Sequence, residues 1–265
     1  MSNCKPVATP AVGVLPRLTA ESGGVTDVDY MSKVGAGLWL AMGTRPDIAY
    51  TVQTLWRHMN AVGPEHHEAC KRMMRYLKGT RDLGIKYTGN KDNTLEVIVV
   101  ADNGHQDNPV EVSLHADSSW GDDPATRRST TGFLVMMAGA AVNWSSKLQQ
   151  TVALSTSEAE YMAACAAAQE AIFQRQLLED MGFPQKGPTV IYEDNTGAIA
   201  MSENPVSHNR TKHIDIKYHF VRERVELGEI KLVHVATENQ LADLLTKSLA
   251  KVKHERLRER VMGHK

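Results

Sequence analysis

The chain has 265 residues, 42% of them apolar, with 30 Lys and Arg against 31 Asp and Glu and a formal net charge of −1 at pH 7. That length allows one large domain or two modest ones around a packed core, and the overall balance is not that of a basic nucleic-acid binder, although acids gathered around divalent cations would make the sum misleading. No apolar run approaches the roughly 20 residues that span a bilayer, and the proline-rich N-terminus lacks the apolar stretch of a secretory signal, so a soluble, intracellular protein is expected. Cys4, Cys70 and Cys165 are far apart and odd in number, which fits a reducing compartment and idle thiols.

Residues 1–28 are rich in Pro, Gly, Ser and Thr and read as a flexible leader. Three helical patterns follow. Tyr30 to Met42 carries apolar residues at helical spacing, weakened by Gly35 and Gly37. Asp47 to Met59 follows Pro46 and aligns Ile48, Val52, Leu55, Trp56 and Met59 on one stripe. Pro64 opens the third, which Gly79 ends. Together they form a small helical module over residues 29–88.

Residues 89–111 read as a linker around one short strand, LEVIVVA, and mark a domain boundary. Three strands follow in VSLHAD, TGFLVMMAG and AVNWSS, the last two joined tightly through Ala138, Gly139 and Ala140. A long helix runs from about Thr156 to Met181, closed by Gly182. Then come a strand PTVIYED, a helix near Thr196, a helix from Lys212 to Leu227, a strand IKLVHVA, and helices at Asn239–Leu249 and Lys253–Val261. A meander followed by alternating helices and strands predicts an α/β domain over 112–265: three antiparallel strands, two added in parallel, and helices over the sheet.

Asp117 and Asp194 stand at the ends of the first and fourth of these strands. Active sites of open α/β sheets gather at the carboxyl ends of strands, while single strand-end aspartates are also ordinary turn formers. Ser155 and Glu158 fit a capping box, which accounts for Glu158. Glu160 instead shares a face with Ala163, Ala164 and Ala167, the small-residue side of its helix. A carboxylate there is costly to bury without a partner. Asp243 lies in the helix after the last strand, with Leu241, Leu244 and Leu245 as its anchors, and reads either as a fourth member or as a solvated acid. Such an all-oxygen set suits Mg²⁺ or Mn²⁺ rather than zinc, and two such ions roughly 4 Å apart can hydrolyse a phosphodiester.

The strings RRSTTGFLV, NWSSKLQQTVALSTSEAEYMA, YEDNTGAIAMSENPVSHNRTKHIDIKYHFVRE and VATENQLADLLTK resemble the ribonuclease H domain of copia-type retrotransposon polyproteins, over about residues 112 to 260. YMSKVGAGLWLAMGTRPDIAYTVQTL and HHEACKRMMRYLKGTRDLGIKY are similar to the thumb-like end of the same polyproteins' reverse transcriptase. The resemblance implies a ribonuclease H-like fold with a five-stranded mixed sheet. It also implies cleavage of the RNA strand of RNA–DNA hybrids, two Mg²⁺ ions (or Mn²⁺), and Asp117, Glu160, Asp194 and Asp243 as their ligands. Location in the cytoplasm within retrotransposon particles, or in the nucleus, goes with it. Ser119 stands where the family usually has a further acid, and the loop at 89–111 is longer than usual. The polymerase fingers and palm are missing, so the resemblance makes the polymerase region of the reverse transcriptase an expected partner.

Arg127, Arg128, Lys147, Ser155, Ser157, Asn195, Arg210, Lys212 and Lys247 flank the acids in sequence as candidate contacts to the hybrid; each also reads as an ordinary solvated or capping residue. His213 and His219 are six residues apart and form no helical metal pair. Trp120, Trp144, Phe133 and Tyr192 read as core. The basic set Arg57, His58, Lys71, Arg72, Arg75, Lys78 and Arg81 would track a duplex or form a solvated face. A non-catalytic remnant that binds nucleic acid or a polymerase partner is the alternative function. An integrase would carry its glutamate last, whereas here it comes second.

Overall fold

A computed structural model describes residues 4–11, 13, 15, 16, 18, 19, 23–87, 112–203 and 212–264, with backbone alone at 212–218. The linker at 89–111 with its LEVIVVA strand, Arg210, and the side chains of Lys212 and His213 lie outside the described residues.

Three helices come first: α1 (Val28–Gly43), α2 (Ala49–Trp56) and α3 (Pro64–Gly79). Asp27 caps α1 by accepting the Tyr30 N–H at 2.9 Å. The second helix is shorter than its apolar stripe predicts, because Pro46–Ile48 form a separate 3-10 turn and the helix ends at Trp56. Arg45 and Asp47 within that turn are buried and paired with each other, which draws the chain inward before α2 starts.

The sheet comprises β1 (Val112–Ser119), β2 (Thr130–Met137), β3 (Ala140–Leu148), β4 (Thr189–Glu193) and β5 (Ile230–His234), in the order β3-β2-β1-β4-β5. β1, β2 and β3 pair antiparallel; β4 and β5 add in parallel beside β1. Ala138 and Gly139, at φ 51° and 80°, make the two-residue β2–β3 turn. Positive φ at both positions is what the twist of a two-residue hairpin requires. This is the five-stranded mixed sheet, flanked by helices, that the sequence resemblance implies.

Each sheet face has its own core. On one side lie α4 (Thr156–Asp180), α5 (Thr196–Glu203) and α6 (Lys212–Glu226). Ala163, Ala164, Ala167, Ala168 and Ala171 of α4 are fully buried against Leu114, Ala116 and Ile191 of the sheet. Small side chains let this long helix lie close on the strands, so a polar residue on that face has no route to solvent. On the other side, Leu134 and Ala141 share one cluster with Val34, Val52 and Met73 of the first three helices. The same cluster holds Leu244 and Leu245 of α7 (Asp243–Thr246) and Leu257 of α8 (Lys251–Val261). The helical segment and the sheet therefore bury one apolar surface in common, bolted by Trp144 Nε1 donating to Ala41 O at 2.6 Å and Arg57 Nη2 donating to Thr130 Oγ1 at 2.8 Å.

Three expectations from sequence differ. The described part of the leader is held along α3: Arg72 donates to Thr9 Oγ1, Arg75 to Lys5 O and Lys78 to Cys4 O. Three of the seven residues of the basic set are thereby engaged with the chain itself. The helix expected over Asn239–Leu249 is a 3-10 turn at Thr237–Asn239 and the four-residue α7, since Gln240 leaves helical geometry to reach into the sheet. Trp120 is 52% exposed rather than core, fixed by its N–H to Ala153 O at 3.2 Å.

Candidate metal centre

All the predicted acids collect at one end of the sheet. β1 delivers Asp117, whose cross-strand partner on β2 is Gly132. A Cβ at Gly132 would meet Thr246 Cγ2 at 2.7 Å and Leu245 Cβ at 2.8 Å, so the glycine lets α7 lie directly beside Asp117. β4 runs parallel to β1 and is followed by Asp194. α4 descends on the opposite face and brings Glu160 down onto the strand ends. Its N-terminus meets that of α5 at Gly197, where a Cβ would clash with Ser157 Oγ at 2.5 Å.

The result is a set of carboxylate oxygens from Asp117, Glu160 and Asp194 that lie within 4.8 Å of one another. Asp117 and Glu160 are buried, at 0% and 4% exposure, while Asp194 is half-buried and opens the site to solvent. Burial, reinforced by the facing acids, pushes the Asp117 and Glu160 carboxyls well above the usual carboxylate range. Glu160 Oε2 has no hydrogen-bond partner among the described residues. A buried, unpaired acceptor surrounded by like charge is a position that either a proton or a bound cation can neutralise. The donor set is all oxygen, which fits a hard divalent ion such as Mg²⁺ or Mn²⁺.

Asp243 is fully buried but is not brought into that three-oxygen group. It pairs instead with two lysines. Lys247 Nζ lies 2.7 Å from Asp243 Oδ1 and 3.4 Å from Asp117 Oδ2, and Lys253 Nζ contacts Asp243 Oδ2. Burial works against the Lys247 charge, but Asp117 and Asp243 outweigh it and hold the ammonium above its ordinary value. Thr246 Oγ1 donates to Asp117 Oδ2.

Gln240, which carries no signal in the sequence, positions this side of the centre. Fully buried, it donates through Nε2 to Ala116 O at 2.8 Å and Tyr192 O at 3.3 Å, bridging β1 and β4. Its Oε1 faces His115 Nδ1 at 3.1 Å and accepts from the Ala242 N–H, the residue before Asp243. Glu193, the last residue of β4, is a further buried acid that alternation alone does not flag.

The candidate hybrid contacts divide. Ser155 caps α4 by accepting the Glu158 N–H at 3.2 Å, and Glu158 Oε2 accepts the Leu154 N–H. Asn195 Oδ1 caps α5 through the Ala198 N–H and receives Ser157 Oγ at 3.2 Å. Lys147 is exposed and pairs with Thr131, which pairs with Ser118, one residue beyond Asp117. Arg127 is exposed and Arg128 half-buried in the β1–β2 connection at the same end.

No protein-family model matches the chain. It is 37% identical over 271 residues to the retrovirus-related Pol polyprotein of transposon TNT 1-94 from Nicotiana tabacum, covering 100% of this chain and 19% of the relative. It is 38% identical over 254 residues to the corresponding polyprotein of transposon RE2 from Arabidopsis thaliana, covering 95% of this chain and 16% of the relative. The chain thus spans less than a fifth of the length of these curated relatives. Among solved structures, LC11-RNase H1 in complex with RNA/DNA hybrid is similar with a TM-score of 0.38 and 15% identity, over 51% of this chain and 94% of that one. The chain is thus 37% to 39% identical along nearly its whole length to three retrovirus-related Pol polyproteins of copia-type transposons, and is a homologue of them over the stretch it shares.

Proposed function

We propose that residues 112–265 are the ribonuclease H domain of such a polyprotein, a metal-dependent endonuclease that hydrolyses the RNA strand of RNA–DNA hybrids. Residues 29–88 are then the thumb-like end of its reverse transcriptase, and the polymerase region is the expected partner. The observation that carries this reading is the convergence of Asp117, Glu160 and Asp194 from β1, α4 and the β4–α5 turn within 4.8 Å, with Glu160 Oε2 unpartnered.

Asp117, Glu160 and Asp194 would hold Mg²⁺ or Mn²⁺, and Asp243 would complete the set on the Lys247 side. Divalent ions held there supply an activated water and a counter-charge for the leaving 3′-oxygen. The remaining work falls to the protein. Thr246 holds the Asp117 carboxylate, and Gln240 holds the backbone N–H of Ala242, which leads into Asp243 at the start of α7. Lys247 lowers the charge density between them and limits repulsion of an approaching phosphate. Ser155, Ser157 and Asn195, at two adjoining helix N-termini, present hydroxyl and amide groups to the sugar–phosphate backbone. Arg127, Arg128 and Lys147 extend a cationic margin along the same end of the sheet, and Arg210 and Lys212 are further candidate phosphate contacts on their sequence position alone.

The test is a panel of end-labelled duplexes of one sequence incubated with the full chain and Mg²⁺ or Mn²⁺. Cleavage confined to the RNA strand of the hybrid is expected. Binding of the hybrid without cleavage under either metal would favour the non-catalytic reading, and equal cleavage of double-stranded DNA would refute the assignment.

A further inference from the structure

Glu193 immediately precedes Asp194 and is fully buried. Its Oε1 accepts the Asn195 N–H at 3.0 Å, which ties the strand-to-helix turn. An amide side chain would make that bond equally well without placing a charge in the core, so the turn explains one oxygen and not the carboxylate. Oε2 is buried and, among the described residues, receives no hydrogen bond. Lys247 and Lys253, which neutralise Asp117 and Asp243, form no ion pair with it. The charges acting on Glu193 include Asp117 and Asp194, and it acts in turn on Glu160. Glu160 Oε2 and Glu193 Oε2 are thus both buried without a hydrogen-bond partner, as are Asp243 Oδ1 beside Lys247 and Glu158 Oε1 at the cap of α4. Glu193 differs from Glu158 in adjoining Asp194 in the chain and in the like charges of Asp117 and Asp194 that act on it.

We infer that Glu193, which like Asp243 lies outside the three-oxygen group, is a further carboxylate of the cation site whose unpartnered Oε2 supports the divalent ion held by Asp117, Glu160 and Asp194 through a water on that ion. The inference rests on the metal-centre reading above and extends it to a residue which that reading leaves out. Groups that support a metal from its immediate surroundings typically change its affinity by about 10- to 100-fold. Glu193 therefore raises the affinity of the site for hard cations at the expense of the cation-free fold, where its charge has no partner.

The experiment is Mn²⁺ titration of the full chain, with free Mn²⁺ read by electron paramagnetic resonance, and thermal melts with and without Mn²⁺. Wild type, Glu193→Gln and Glu158→Gln are compared, Glu158 being a buried capping acid of α4. Glu193→Gln is expected to bind Mn²⁺ about tenfold more weakly and to melt higher than wild type without cation, while Glu158→Gln binds as wild type does. Glu193→Asp, which keeps the charge but draws it back by one methylene, covers the case in which the glutamine variant does not fold, and a weaker affinity is expected there too. Unchanged affinity in a folded Glu193 variant would overturn the inference and leave the metal centre standing. Absence of Mn²⁺ binding by the wild type would overturn both.

Discussion

Lys247 Nζ lies 2.7 Å from Asp243 Oδ1 and 3.4 Å from Asp117 Oδ2, so one half-exposed ammonium sits between two fully buried carboxylates. Without a divalent ion, it is the cation shared by both carboxylates, with Lys253 pairing Asp243 from the other side. Removing one partner of a buried charge pair costs about 3 to 5 kcal/mol, and the partial exposure of Lys247 reduces that to about 1 to 2 kcal/mol. Lys247→Met is therefore expected to lower stability by that amount in chelator, with much of the loss recovered in Mg²⁺. Paired denaturation curves with and without Mg²⁺ check this; a deficit of equal size in both would place the role of Lys247 elsewhere.

The Arg45–Asp47 pair anchors the helical segment by a different route. Arg45 Nε and Nη2 each donate to Asp47 at 2.8 Å, Tyr76 OH donates to the same carboxylate, and Arg45 reaches on to Thr80. Both charges are buried. Asp47→Ala would strand the guanidinium and is expected to cost about 3 to 5 kcal/mol, measured by urea denaturation. Because the helices and sheet share one core, the loss should appear in a single transition that shifts as a whole. A separate early transition of the helices would contradict the shared core.

His115 gives the stability a defined acid dependence. Burial lowers its pKa to about 4 from the ordinary 6.5, against the opposing hydrogen bond with Gln240. The unfolded chain then binds the proton that the folded one refuses. Stability from this residue is intact above about pH 6.5 and declines as pH falls toward 4. The ceiling is about 3 kcal/mol, at about 1.4 kcal/mol per unit. His115→Gln is expected to flatten that part of the profile by a comparable amount, as read from denaturation midpoints at a series of pH values. The same slope in both proteins would exclude His115 as its source.

The acids of the metal centre act in the opposite sense. Burial, partly offset by Lys247, pushes the Asp117 carboxyl up to about 7, so without cation it is partly protonated near neutrality. Binding of Mg²⁺ or Mn²⁺ must displace that proton. Calorimetry at pH 7 in buffers of different ionisation enthalpy should show net proton release, and affinity should rise with pH. Binding heats that do not depend on the buffer would contradict this.

Much of this site is legible in the sequence because local rules isolate its parts. The two α4 glutamates separate on spacing alone: Glu158 bonds the Leu154 N–H at the cap, and Glu160 lies on the alanine face. Asp194 is marked by its place directly after β4, whereas Asp117, expected at the end of its strand, lies within β1, which runs two residues further to Ser119. What escapes depends on close approach between distant segments. The Lys247 pairing requires α7 to settle over Gly132, and Gln240 matters only because β1 and β4 are neighbours. Glu193 ends a strand whose alternation already buries Thr189 and Ile191, so nothing local distinguishes it from a misplaced polar residue. The shared core is likewise invisible in the helical pattern. Leu134, Ala141 and Leu257 fall within the segment read as a domain of its own, yet they share a cluster with Val34 and Met73 of the helical segment.

The most direct test of the central claim is single-turnover cleavage of a labelled RNA–DNA hybrid by wild type and Asp194→Asn, with hybrid binding measured on the same samples. Asp194 is the half-buried member of the centre, so the amide should leave the fold intact. Mg²⁺- or Mn²⁺-dependent cutting by the wild type is expected, with loss of at least about a thousandfold in the variant, about 4 kcal/mol of transition-state stabilisation, and hybrid binding retained. Cleavage by the variant at a rate near that of the wild type would contradict the assignment of the three-acid centre as the site of reaction.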